Sequence, residues 1–142
     1  MITEVEQSTL DIDWFFTDGN EIGFVASGGG KLPISVALSI DNVSILASYF
    51  RQLSPISDVQ VNPNINSKVD ERYLSDFVYM TERGLYSFDK TVLGDFSDES
   101  YHLVSTPSTP LRLKELPGNI AQLISRSMSP VIISNFKIES IR

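Results

Sequence analysis

A chain of 142 residues, 42% of them apolar and with a mean hydropathy of zero, fits one globular domain and lacks the composition of a disordered segment. The absence of cysteine excludes disulfides, thiolate zinc sites and cysteine nucleophiles, and no apolar run reaches the ~18 residues of a membrane span. The net charge of −7 lies in the first half: residues 1–71 hold ten acids against three bases, while residues 72–142 hold eight of each. Such a surface repels nucleic acid and acidic membranes and favours basic partners. With no basic-apolar leader at the start, the expected compartment is the cytoplasm.

In chain order, Met1–Leu10 is polar and is expected to fray or to add an edge strand. Asp11–Lys31 is the organising stretch. Ile12, Trp14 and Phe16 alternate with Asp11, Asp13 and Phe15, and Ile22, Phe24 and Ala26 alternate with Gly23 and Val25. This period of two predicts two half-buried strands. Asp18-Gly19-Asn20 supplies the reversal. Apolar matching sets Phe16 opposite Ile22, Trp14 opposite Phe24 and Ile12 opposite Ala26, with Phe15 covering Gly23. The other face, with Asp13, Thr17 and Glu21, is then expected to be solvated.

Three glycines at 28–30 cannot sustain a strand, and Leu32–Leu38 reads as a connector. A first helix is predicted from Ile40 to Leu53, capped by Ser39 or Asp41, with Val43, Leu46, Ala47, Phe50 and Leu53 on one stripe. Ser54–Val69 is an irregular crossing with a short strand at Val59 and Val61. A second helix is capped by Asp70 and runs to Arg83, with Tyr73, Leu74, Phe77, Val78 and Thr81 inward and Gly84 as left-handed terminator. Leu85–Thr91 and Tyr101–Thr106 form a second strand pair around an acidic loop. Residues 105–110, with two prolines, are expected as extended surface chain. Pro117 opens a third helix with Ile120, Leu123 and Ile124 inward. Val131–Ile141 closes as a strand. The class is therefore α+β: one domain over 1–142, with a single antiparallel or mixed sheet built from hairpins and about three helices packed on it.

Motifs of chemistry fail on inspection. Gly30-Lys31 lacks the glycine of a phosphate loop at Val25 and its Ser or Thr at Leu32, and Pro33 occupies the last glycine place of a dinucleotide fingerprint. Asp11, Asp13 and Asp18 do not form a calcium loop, because Phe15 and Phe16 stand where a ligand and a glycine belong. His102 is the single histidine, and no serine has the glycine pattern of a nucleophile elbow. Catalytic, cofactor and metal residues are accordingly expected to be absent.

The opening Asp11-Ile-Asp-Trp-Phe-Phe-Thr-Asp18 together with Ile22-Gly-Phe-Val-Ala-Ser-Gly-Gly29 resembles the start of small uncharacterised bacterial proteins, some of them immunity proteins of polymorphic toxin systems. The resemblance covers the first forty residues and, faintly, Tyr101–Pro117. It implies a cytosolic, non-enzymatic protein that neutralises a toxin by binding it, and it carries over no functional residue. The leading expectation is thus a non-catalytic module binding a basic protein through an acidic surface that includes Asp11, Asp13, Asp18 and Glu21. The alternatives are a small-molecule binder or enzyme with a pocket near Gly28–Gly30 and His102, and a structural homo-oligomer, such as a homodimer, joined through the exposed edge of Val131–Ile141.

Overall fold

The computed structural model describes residues 1–63, 65, 71–92, 95–129, 136–137 and 140–141. The chain opens on a helix, α1 (Glu4–Thr9), where fraying or an edge strand is expected. The cause is a capping box: the Thr3 hydroxyl accepts the Glu6 N–H, and the Glu6 carboxylate accepts the Thr3 N–H. The buried Gln7 then fixes the helix. Its side-chain amide donates to the Ile2 carbonyl and accepts the Leu32 N–H, each at 2.9 Å.

Strands β1 (Asp13–Thr17) and β2 (Ile22–Ala26) form the expected hairpin, but one residue out of the expected register. Thr17 faces Ile22, Phe16 faces Gly23, Phe15 faces Phe24, Trp14 faces Val25 and Asp13 faces Ala26. The turn decides this. Thr17 donates its hydroxyl to the Glu21 carbonyl at 2.6 Å, and the Asp18 carboxylate accepts the Asn20 and Glu21 N–H groups at 2.9 and 2.7 Å. These bonds close a loop of residues 18–21. Apolar matching could not oppose it, because neither face of the sheet is solvated: Trp14 and Phe16 are buried on one side, Phe15 and Thr17 on the other. It is Phe16 that covers Gly23, so closely that a Cβ there would lie 2.4 Å from its ring.

The sheet is mixed: β1 pairs β2, β2 pairs β4 (Tyr86–Lys90), β4 pairs β5 (Ser100–Pro107) and β5 pairs β3 (Val59–Val61), with the short β6 (Phe136–Lys137) also pairing β5. Among the described strand pairs only β2 and β4 run parallel. The crossover between them contains α2 (Ile34–Ala37), inside the expected connector, then α3 (Ile40–Arg51), β3 (Val59–Val61) and α4 (Glu71–Glu82). Ser39 caps α3 as expected, accepting the Asn42 N–H at 3.3 Å, and Leu46 and Phe50 of its stripe are buried. Phe77, Met80 and Thr81 are the buried residues of α4, while its expected cap, Asp70, lies outside the described residues. Gly84 ends the turn after α4 at φ +93°, and a Cβ there would meet the Leu111 backbone nitrogen at 2.5 Å.

Strand β5 (Ser100–Pro107) runs further than expected. Ser105, Thr106 and Pro107 pair with β3 instead of forming free surface chain. Pro107 is tolerated because it terminates the strand and faces a three-residue edge strand. Helix α5 (Gly118–Ile124) follows Pro117, with Ile120 and Ile124 buried. Of the expected closing strand, only Phe136–Lys137 is seen as β6; most of Val131–Ile141, including the edge proposed for self-association, lies outside the described residues.

Two cores result. Trp14, Phe16, Val25, Phe88 and Tyr101 fill one face, with Phe136 packed against them. Phe15, Phe24, Phe50, Phe77, Met80, Ile120 and Ile124 fill the other, under the helices. None of the described helices is long and apolar enough to cross a membrane.

Candidate functional site

The carboxyl ends of the parallel pair, β2 and β4, lie side by side, which is where open α/β sheets tend to place ligands. Cross-strand partners share a face. Asp13 pairs Ala26, Ala26 pairs Asp89 and Asp89 pairs His102, so one row runs over four strands on the helix side of the sheet. The small Ala26 separates its two carboxylates.

Asp89 is 3% exposed. Its carboxylate accepts the Tyr73 hydroxyl from α4 and the Lys90 N–H at 2.8 Å. Burial pushes its carboxyl above the usual aspartate range, against these hydrogen bonds and the nearby His102. Burial, with the carboxylate beside it, likewise raises the Tyr73 phenol. At the other end of the row the Asp13 carboxylate accepts Arg51 Nη2 at 2.5 Å, yet burial still leaves its carboxyl raised. Arg51, from the last turn of α3, also donates to Asp76 of α4 at 3.0 Å, and Tyr79 donates its hydroxyl to the Arg51 carbonyl at 2.6 Å. Arg51 therefore ties α3 and α4 to the first strand.

Lys90, the next residue, points to the opposite face. It is 1% exposed, and its ammonium donates to the Asp98 carbonyl, with the Asp98 carboxylate at 3.7 Å and the Tyr101 ring centroid at 5.9 Å. Its stem packs on the glycine run: a Cβ on Gly30 would lie 2.9 Å from Lys90 Cδ. Among the described residues no three His, Asp or Glu converge as a metal ion would require.

The four expected contact acids are all engaged within the chain. Asp11 is exposed and accepts the Gly28 N–H at 2.9 Å. Asp13 holds Arg51, and Asp18 holds its own turn. Glu21 accepts Arg112 Nη1 at 2.7 Å with its side chain 16% exposed. Asp13 and Glu21 thus do not lie on the solvated hairpin face expected for them. Gly28–Gly30 follows β2, and His102 lies on β5, with β4 and Asp89 between them. Sequence reasoning missed Asp89, Lys90, Arg51 and Tyr73. The available signal was two adjacent charges, Asp89-Lys90, at the end of an otherwise uncharged strand.

A second feature lies beside β1. A small recess is walled by apolar side chains of β1, α2, α3 and α5, and among the described residues Arg126 is the one charged residue lining it. Next to it the surface carries exposed apolar side chains: Ile34 at 74%, Leu38 at 60% and Ile40 at 50%. No protein-family model, curated protein or solved structure matches this chain.

Proposed function

We propose that this chain is a non-catalytic protein-binding module that restrains a basic partner, the part an immunity protein plays toward its toxin in the cytoplasm. The observation that carries this reading is the apolar ridge of Ile34, Leu38 and Ile40 at the α2–α3 corner. Ile34 and Leu38 are four residues apart and share a helix face. Clustered exposed apolar side chains mark interaction surfaces, whereas single ones are ordinary. The net charge of −7 draws a basic partner and speeds its approach. Asp11, Asp13, Asp18 and Glu21 act chiefly through that field, since their carboxylates already hold groups of the chain itself.

The test is affinity capture from the source cells with the wild type and with Ile34→Asp/Leu38→Asp. Both sites are exposed, so the variant is expected to keep the wild-type Tm. One basic protein retained by the wild type and lost by the variant supports the reading. Equal retention, or no saturable partner, overturns it.

A second reading, a small-molecule enzyme, is favoured by one observation: a buried carboxyl raised above its usual range, bonded to a phenol and beside a histidine. Turnover abolished by Asp89→Asn in a folded variant would replace the first reading by this one.

A further inference from the structure

The sheet ends differently at its two edges. At β1 the outward main-chain groups of Thr17 are taken: its N–H donates to the Ser127 carbonyl at 3.1 Å, and its carbonyl accepts the Ser129 N–H at 3.0 Å. At the other end of the strand order stands β3. The Asn62 N–H donates to the Val104 carbonyl at 2.8 Å, and the Ser108 N–H to the Asp58 carbonyl at 3.0 Å. An antiparallel ladder bonds alternate residues, so Asp58, Gln60 and Asn62 turn their main chain toward β5, and Val59 and Val61 turn theirs away. Among the described residues nothing bonds these outward N–H and C=O groups of Val59 and Val61. An unpaired row of this kind is a template for another strand.

The row is self-complementary. Two copies of β3 laid antiparallel about a two-fold axis at Gln60 set Val59 opposite Val61 of the second copy, and Val61 opposite its Val59. Every outward group then meets its complement, N–H to C=O. The valines of both copies share one face, where Val61, 36% exposed, gains apolar neighbours. The charges also agree. Although the chain carries −7, no like charges meet across this axis: Gln60 faces Gln60, and Asp58 faces Asn62 of the second copy.

We propose that β3 pairs with the β3 of a second copy, joining two sheets into one across a two-fold axis at Gln60. The strand is short, so the affinity is modest and the dimer forms as concentration rises. The pairing does not use the α2–α3 ridge, because α3 packs on β1 at the far end of the strand order.

Sedimentation equilibrium of the full chain, up to about 1 mM, measures the association. The wild-type mass should rise from 15.8 kDa toward twice that value, with a Kd below about 1 mM. Val61→Pro removes an outward N–H and breaks no bond to β5, so it should keep the fold and raise the Kd by about tenfold or more. Gln60 is exposed, so Gln60→Lys and Gln60→Glu should both fold. Each alone places like charges across the axis and weakens the pairing. Their equimolar mixture should associate about fivefold more tightly than either, with the gap narrowing as salt is added. A chain that stays monomeric at about 1 mM overturns the inference and leaves this edge to a strand of another protein. A mixture no tighter than its components, or a folded Val61→Pro variant that dimerises as the wild type does, overturns it as well, because the contact would then lie elsewhere.

Discussion

Asp89 and Lys90 are consecutive, and the pleat of β4 sends them to opposite faces of the sheet. Both are almost fully buried, at 3% and 1% exposure, and a buried charge is costly unless it is bonded. The two faces offset that cost differently. On the helix side Asp89 is met by a side chain of α4 and by its own strand's backbone. On the aromatic side Lys90 is met by a loop residue, Asp98, which also accepts the Val92 N–H and both donors of Ser100. Removing the Asp89 carboxylate strips donors inside a packed core. Removing the Lys90 ammonium leaves Asp98 with other partners.

The largest expected effect tests whether the two apolar cores carry equal weight despite this difference. Trp14 meets the Phe16, Tyr101 and Phe136 rings on one face, and Phe50 stacks near Phe15 at 4.8 Å on the other. Trp14→Ala and Phe50→Ala should each cost about 3–5 kcal/mol in chemical denaturation. A cost under about 1 kcal/mol for either would mean that its face is not a core.

The next pair separates the charges themselves. Asp89→Ala strips the Lys90 N–H of its acceptor and Tyr73 of one, and should cost about 2–4 kcal/mol. Lys90→Met keeps the volume and removes the charge, and should cost under about 1.5 kcal/mol. Urea midpoints of the two variants decide the matter; the reverse order would show that the loop, not the helix, is the tighter partner.

Much of this arrangement was legible in the chain and some was not, for identifiable reasons. The Ser39 cap, the α3 stripe and the Gly84 terminator are local signals, and local signals sufficed. The hairpin register failed because period-two reasoning needs a wet face, and Phe15 and Thr17 are as buried as Trp14 and Phe16. Helix α1 was hidden by its polarity, although Thr3 and Glu6 spell its capping box. The row of Asp13, Asp89 and His102 could not be read, because it exists only through the parallel pairing of β2 with β4 across a crossover of some sixty residues. Pairing at that separation leaves no local pattern. The exposed Ile34 and Leu38 were legible as residues but not as surface, since the short α2 was read as a connector.

A pH series sharpens the account of the helix side. Burial raises the Asp13 and Asp89 carboxyls, so the folded chain binds protons there more readily than the unfolded chain does. Their contribution is most favourable below the ordinary aspartate value of about 4 and declines as pH rises through the raised values. Asp89→Asn keeps an acceptor for Tyr73 and fixes the neutral state. Its stability relative to wild type should therefore improve as pH rises from about 4 toward neutrality. Parallel Tm curves for the two proteins over that range would show that Asp89 titrates normally.

The smallest effect belongs to a charge pair that neither face encloses. Arg112 reaches back to Glu21 at 2.7 Å and joins the hairpin turn to the segment before α5. The arginine side chain is 34% exposed, so water and salt screen the pair, and exposed pairs contribute roughly 0.2–1 kcal/mol. The segment also keeps its other anchors without the guanidinium: the Leu113 N–H donates to the Asn20 carbonyl at 2.8 Å, and the Arg112 N–H to Glu115 at 3.0 Å. Arg112→Gln should thus cost under about 1 kcal/mol at low salt, with the gap to wild type narrowing as salt is added. Urea midpoints at two ionic strengths measure both quantities. A loss above about 2 kcal/mol that salt does not touch would place Glu21 with Asp89, as a carboxylate whose partner is part of the core and not of the surface.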